Sequence, residues 1–278
     1  MKRIRSWRVI AAAAVTAVIT VLSMTAAGTA SATPSKGSKP TIVLVHGAWA
    51  DGSSWSAEVK QLQSMGYTVD VAPNPLRGAS DFDYVRDFLS TISGPIVLVA
   101  HSYGGFVITN AATGNSNVKA LVYIDAFIPD QGQTLGDLVS GSGSALEPAL
   151  TDPTSVFELK PYPGAPPGAV DTYLLRNVYL QSFAPDVPRP EAQVQQVSQE
   201  PLSTAAFFVP SGPPAWENTP CWVLIGTQDQ IIPPSLQHTM AGTAGCRHVT
   251  TVKASHVSLV SRPNQVTSVI LDAARSVA

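Results

Sequence analysis

The chain has 278 residues, of which 45% are apolar and 13% charged, and its formal net charge is −2. That composition supports a sizeable core in one or two domains. After the first eight residues no Lys/Arg run occurs, which argues against a nucleic acid or an anionic membrane as partner.

Lys2, Arg3, Arg5 and Arg8 precede an apolar run from Val9 to Leu22 and then small residues ending Ala30-Ser31-Ala32. A positive start, an apolar centre and an A-x-A site predict a secretory signal peptide over residues 1–32, cut after Ala32. The run is shorter than the roughly 20 residues that span a bilayer, and no Arg-Arg pair points to the twin-arginine route. Cleavage would remove four basic and no acidic side chains, leaving 13 against 19 and a net charge of −6. The expectation is a secreted, extracellular protein without membrane contact after cleavage. Residues 33–40 read as a disordered leader.

Thr41 to His46 is a short apolar, β-branched run ended by Gly47, the pattern of a buried parallel strand. Ser53 to Met65 has apolar residues at helical spacing and stops at Gly66. Tyr67 to Ala72 reads as a strand broken by Pro73-Asn74-Pro75, and Asp81 to Ile92 as a helix. Pro95 to Ala100 is a second unbroken apolar run. It meets His101-Ser102-Tyr103-Gly104-Gly105 before a helical segment from Phe106 to Ala112. Val118 to Phe127 is a further strand. This alternation predicts an α/β fold, a doubly wound and mostly parallel sheet with right-handed crossovers.

At Pro129 the composition shifts to Pro, Gly, Ser, Gln and Ala. Helical signals occur over Val170–Ser182 and Glu191–Gln199, and nothing alternates like a sheet strand. Residues 129–215 are read as a lid inserted over the carboxyl ends of the strands, between core segments 41–128 and 216–278. The core resumes with a strand at Cys221–Gly226, a helix at Ser235–Ala244, a strand at His248–Ala254 and a helix at Asn264–Ala274. Cys221 and Cys246 stand at the starts of two strands, and if those strands are parallel neighbours both thiols fall at the same end of the sheet. In an exported protein they can pair as a staple; the alternative is two buried free thiols. No Cys/His spacing resembles a zinc site, and no metal or cofactor is expected.

Ligands of an open parallel sheet bind beyond the carboxyl ends of its strands. The polar residues there are His46, Asn74, Ser102, Asp125, Asp229 and Ser255-His256. Ser102 sits between small residues, Ala100 before it and Gly104 and Gly105 after it, as a strained strand–turn–helix elbow requires. Such an elbow usually opens with Gly, and Ala100 adds strain. The competing account is a glycine-rich loop with an incidental serine. A hydroxyl becomes a nucleophile when a base takes its proton and a carboxylate orients that base. Ser102, Asp229 and His256 fill these roles in the chain order Ser, Asp, His, with Asp125 as the rival acid. His101 is expected to point away, His238 falls mid-helix, His248 starts a strand, and His46 braces the loop before Trp49. The backbone N–H groups of Tyr103 and Ala48 are the candidate oxyanion donors.

These motifs, with His46-Gly47-Ala48-Trp49, Trp55, Tyr123 to Asp130 and Ser261-Arg262-Pro263, resemble the α/β-hydrolase superfamily. Within it the chain is most similar to the compact-lid branch of plant methylesterases, hydroxynitrile lyases and bacterial carboxylesterases, pyrethroid hydrolases included. The resemblance covers about residues 41–275. It implies an α/β-hydrolase fold and a serine hydrolase acting on carboxylic esters. Dehalogenases and epoxide hydrolases of the superfamily carry aspartate where Ser102 stands. Hydroxynitrile lyases of the branch carry lysine where Val257 stands. The expected partner is a small-molecule ester. Phe157, Phe183, Phe207, Phe208 and Trp216 in the lid point to a small or medium apolar one, unless they are ordinary lid packing. The alternatives are a lipase acting on longer acyl chains, a cofactor-free perhydrolase, and a non-catalytic ligand-binding protein on the same fold.

Overall fold

The computed structural model of the protein describes residues 39–277. The expected signal peptide, and the leader as far as residue 38, lie outside the described residues. In chain order the strands are β1 (Thr41–Val45), β2 (Val69–Ala72), β3 (Ile96–His101), β4 (Val118–Ile124) and β5 (Phe157–Lys160). They continue as β6 (Asp171–Leu174), β7 (Leu202–Ser203), β8 (Cys221–Gly226) and β9 (His248–Val252). The helices are α1 (Ser56–Ser64), α2 (Ala79–Ser90), α3 (Tyr103–Ala111), α4 (Leu135–Val139) and α5 (Arg176–Val178). After them come α6 (Arg189–Val197), α7 (Pro234–Thr243), α8 (Ser258–Ser261) and α9 (Pro263–Ser276).

Six strands form one parallel sheet in the order β2-β1-β3-β4-β8-β9. The unbroken apolar runs take the inner places: every side chain of β3 and of β8 is buried, because helices cover both faces. The strands that mix polar residues in, VDVA and HVTTV, are the edges, and on β9 the exposed His248, Thr250 and Thr251 side chains blunt pairing with other chains. Helices α2 and α3 pack on each other, while α9 lies across β3, β4 and β8 and receives α1.

Register brings the strand ends flush. Val45 pairs with Ala100, His101 with Ile124, Ile124 with Leu224 and Gly226 with Val252. The strand order reverses between β1 and β3, and a parallel sheet opens a crevice at such a switch point.

The segment between β4 and β8 departs from the expectation that nothing in it is sheet. β5, β6 and β7 form a three-stranded antiparallel sheet, Phe157 opposite Leu174 and Thr172 opposite Leu202. Strands of two and four residues are too short to display a period of two. The helical signal over Val170–Ser182 resolves into β6, then α5 and a π-helical turn at Tyr179–Phe183. At the amino end of the main sheet a disulfide joins Cys221 to Cys246 and closes the β8–α7–β9 crossover.

Candidate active site

The turn from β3 into α3 holds Ser102 at φ 54° and ψ −124°, a conformation that an L-residue keeps only where its surroundings enforce it. Two glycines let the helix come close enough. A Cβ on Gly104 would stand 2.8 Å from the carbonyl oxygens of Val45 and His46, and one on Gly105 would collide with the carbonyl of Phe127. Ala100 is fully buried between Val45 and Tyr123, so the elbow forms with its methyl in place.

Ser102 Oγ donates to His256 Nε2 at 2.8 Å, and His256 Nδ1 donates to Asp229 Oδ2 at 2.9 Å. The tautomer protonated on Nδ1 satisfies both contacts. Asp229 Oδ1 accepts from the N–H groups of Ile231 and Ile232 at 2.8 and 2.9 Å, and its Oδ2 also accepts from Gln237 Nε2 at 2.9 Å. Burial lowers His256 to about 3 and pushes the Asp229 carboxyl up, while the Ile232, Ile231 and Gln237 donors pull Asp229 back. A protonated Asp229 would turn its own O–H toward N–H donors, so this cage fits the carboxylate.

The rival acid, Asp125, does not reach the imidazole. Its oxygens accept from Gly226 N at 2.6 Å and Ser258 N at 3.1 Å, tying the end of β8 to the turn after His256. Burial, with the Asp229 charge second, pushes its carboxyl well above the usual range.

His101 corrects an expectation, since its ring does not point away. It lies 4.8 Å from the His256 ring, and its Nε2 donates to the His256 carbonyl at 2.8 Å. Burial holds it neutral. His46 bonds the Gly47 carbonyl through Nδ1 at 3.0 Å, and Asn74 Nδ2 donates to the His46 carbonyl at 2.9 Å, so both brace the loop after β1. In that loop the Trp49 N–H is committed to Glu200 O at 3.0 Å. Among the described residues the Ala48 and Tyr103 N–H groups donate to no protein acceptor. Both residues line a cavity of ≈ 10 Å³ beside Ser102, walled by Phe127, Leu135, Leu146 and Phe207.

Of the aromatics in the insertion, Phe183 meets the His256 ring edge-on at 5.0 Å and Phe157 stacks on Trp49 at 5.3 Å. Phe208 is 73% exposed, and Trp216 is spent on Pro129 O at 3.0 Å, away from the serine. Two residues at the site escaped sequence reading. Gln237 is buried within α7, its only signal a lone amide on an inward helical face. Asp186 accepts from Ser255 Oγ, and also from Ser255 N at 3.2 Å, beside His256. Nothing local in a proline-rich stretch marks it. Among the described residues no group of three or more His, Cys, Asp and Glu gathers where a metal ion could bind.

Residues 42–269 match the model of a family described as "Alpha/beta hydrolase family". A "Carbendazim hydrolyzing esterase" from Nocardioides sp. (strain SG-4G) is 34% identical over 107 residues, which are 34% of this chain and 44% of that relative. Thus the match spans under half of that protein's length. A pyrethroid hydrolase from Sphingobium faniae JZ-2 superposes with a TM-score of 0.66 at 22% identity, covering 85% of this chain and 98% of that one. Polyneuridine aldehyde esterase does so with 0.66 at 18%, covering 84% and 99%. These two likenesses bear on the fold.

Proposed function

The chain belongs to the alpha/beta hydrolase family, and from that premise we propose that it is a secreted serine esterase cleaving small or medium apolar carboxylic esters. The observation that carries this reading is the buried relay from Ser102 through His256 to Asp229, with steps of 2.8 and 2.9 Å. Ser102 Oγ attacks the ester carbonyl as His256 Nε2 takes its proton, and the Asp229 carboxylate offsets the imidazolium charge. The N–H groups of Ala48 and Tyr103 receive the oxyanion. Collapse expels the alcohol, protonated by His256, and leaves the acyl group on Ser102. Water, deprotonated by the same histidine, then releases the acid.

The likeness to the Nocardioides carbendazim-hydrolysing esterase supports ester hydrolysis. The apolar walls of the cavity support an apolar substrate. Residues 129–215 serve as its lid, and residues 1–32 are removed on export. The Cys221–Cys246 bridge supports an oxidising destination.

The test uses residues 33–278 on 4-nitrophenyl acetate, butyrate and palmitate, beside Ser102→Ala. Turnover of the short esters, with a loss of ~10⁴-fold or more in the variant, is the expected result. A preference for palmitate would make the protein a lipase. A folded wild type that neither turns over nor reacts with a fluorophosphonate would leave a binding protein.

A further inference from the structure

Ser102 is 1% exposed, and the cavity at its hydroxyl holds only ≈ 10 Å³, too little for any ester. Substrate therefore has to displace a wall, and two larger recesses each share one wall residue with this cavity. The first, ≈ 350 Å³, lies beyond Trp49 and has a mixed lining, polar at Asp51, Glu191, Gln195 and Ser198 and apolar at Val194 and Leu259. The second, ≈ 340 Å³, lies beyond Phe207 on the surface of the insertion and is lined by Leu150, Phe157, Leu159, Val170 and Phe208. Phe208 is 73% exposed and Leu150 39%, a cluster of apolar side chains left facing water.

The two shared walls differ in how firmly they are held. Trp49 donates its indole N–H to Thr172 O at 3.0 Å and its backbone N–H to Glu200 O at 3.0 Å. It is also stacked on Phe157 and edge-on to Phe183. Phe207 has no polar tether; its one ring neighbour among the described aromatics is Phe157, at 6.1 Å, and it sits on a short 3₁₀ turn, Thr204–Phe208. A phenyl ring on such a turn can change rotamer at far lower cost than an indole held by its N–H hydrogen bond and two rings.

We propose that Phe207 is the gate to Ser102 and that the apolar groove of Leu150, Leu159, Val170 and Phe208 is an outer subsite for the hydrocarbon arm of the ester. This rests on the esterase reading above. When Phe207 swings outward, the inner cavity and the outer groove become one channel. The ester carbonyl then lies at Ser102 and an alkyl or aryl arm of several carbons lies along the insertion sheet. Short esters use only the inner end, whereas each further methylene gains contact in the groove.

The experiment compares kcat/KM for 4-nitrophenyl octanoate with that for 4-nitrophenyl acetate, as a ratio. The double variant Leu150→Ser/Phe208→Ser changes only surface side chains and is expected to lower the ratio ~10-fold. Phe207→Ala is expected to raise it. Phenyl hexyl ketone, an uncleavable analogue, is titrated calorimetrically into Ser102→Ala with and without the double change; its binding should weaken by about the same factor. A ratio unmoved by either variant, or one that falls only when Ser198→Trp plugs the recess beyond Trp49, would overturn the gate. If no ester is turned over yet the ketone binds and the double variant weakens it, the subsite stands and the esterase reading falls.

Discussion

His256 can take the Ser102 proton only while its Nε2 is unprotonated, and burial favours that form by lowering it to about 3. The sign follows directly: below its folded value the imidazole is charged and cannot act as base, and above it the base is available. The acid limb of kcat/KM for 4-nitrophenyl butyrate is therefore expected well under pH 6.5, the usual histidine value. A limb at or above that pH would mean that the Asp229 charge outweighs burial. Gln237 bears on the same pair, since it donates to Asp229 Oδ2 at 2.9 Å and to Ile232 O at 2.8 Å. Gln237→Met keeps the volume and removes both bonds. It should lower kcat by about tenfold with little change in KM, because a lost hydrogen bond to a charged group is worth about 1.5–3 kcal/mol. Steady-state kinetics of the folded variant would read this, and an equal rise in KM would point to a shifted pocket instead.

At the scale of elements, two arrangements make distinct demands. The strap Arg176–Val187 carries Phe183 onto the His256 ring and Asp186 onto Ser255, with the Arg262 guanidinium 3.9 Å from the same carboxylate. The strap thus fixes the histidine turn from outside the core. Asp186→Ala frees that turn, so kcat should fall while the thermal midpoint moves by only a few degrees. A large fall in both would make the strap a purely structural clamp. In α1, Glu58 is buried with neither oxygen hydrogen-bonded among the described residues, and burial pushes it up to about 8 from 4.5. A raised carboxyl contributes stability that is fully present below pH 4.5 and is lost as pH rises through 8. Glu58→Met, of similar volume, should therefore raise the thermal midpoint more at pH 9 than at pH 5. A gain independent of pH would show that Glu58 is not the titrating group.

For the whole molecule, the Cys221–Cys246 bond spans 25 residues and closes the last crossover at the end of the sheet away from Ser102. Its chain-entropy contribution is about 3.5 kcal/mol. The Cys221→Ser/Cys246→Ser protein should lose roughly that much in denaturant unfolding while keeping its ester kinetics at 25 °C. The sheet itself was legible because its evidence is local. Runs such as IVLVA and CWVLIG are apolar throughout only when both faces are covered, and glycine spacing around Ser102 reflects backbone contacts within a few residues. Serine, aspartate and histidine were legible as candidates for a related reason: strand ends in a parallel sheet fall along one edge, so residues 102, 229 and 256 could be placed together without coordinates. The rest depended on tertiary structure. Asp125 or Asp229 as the partner of His256 turned on side-chain direction, set by the Gly226 and Ser258 N–H groups that hold Asp125 elsewhere. The small insertion sheet, the His101 ring against His256 and the grip of Asp186 on Ser255 join residues far apart in the chain. No periodicity encodes such pairings, because each is decided only when separate segments pack against a finished core.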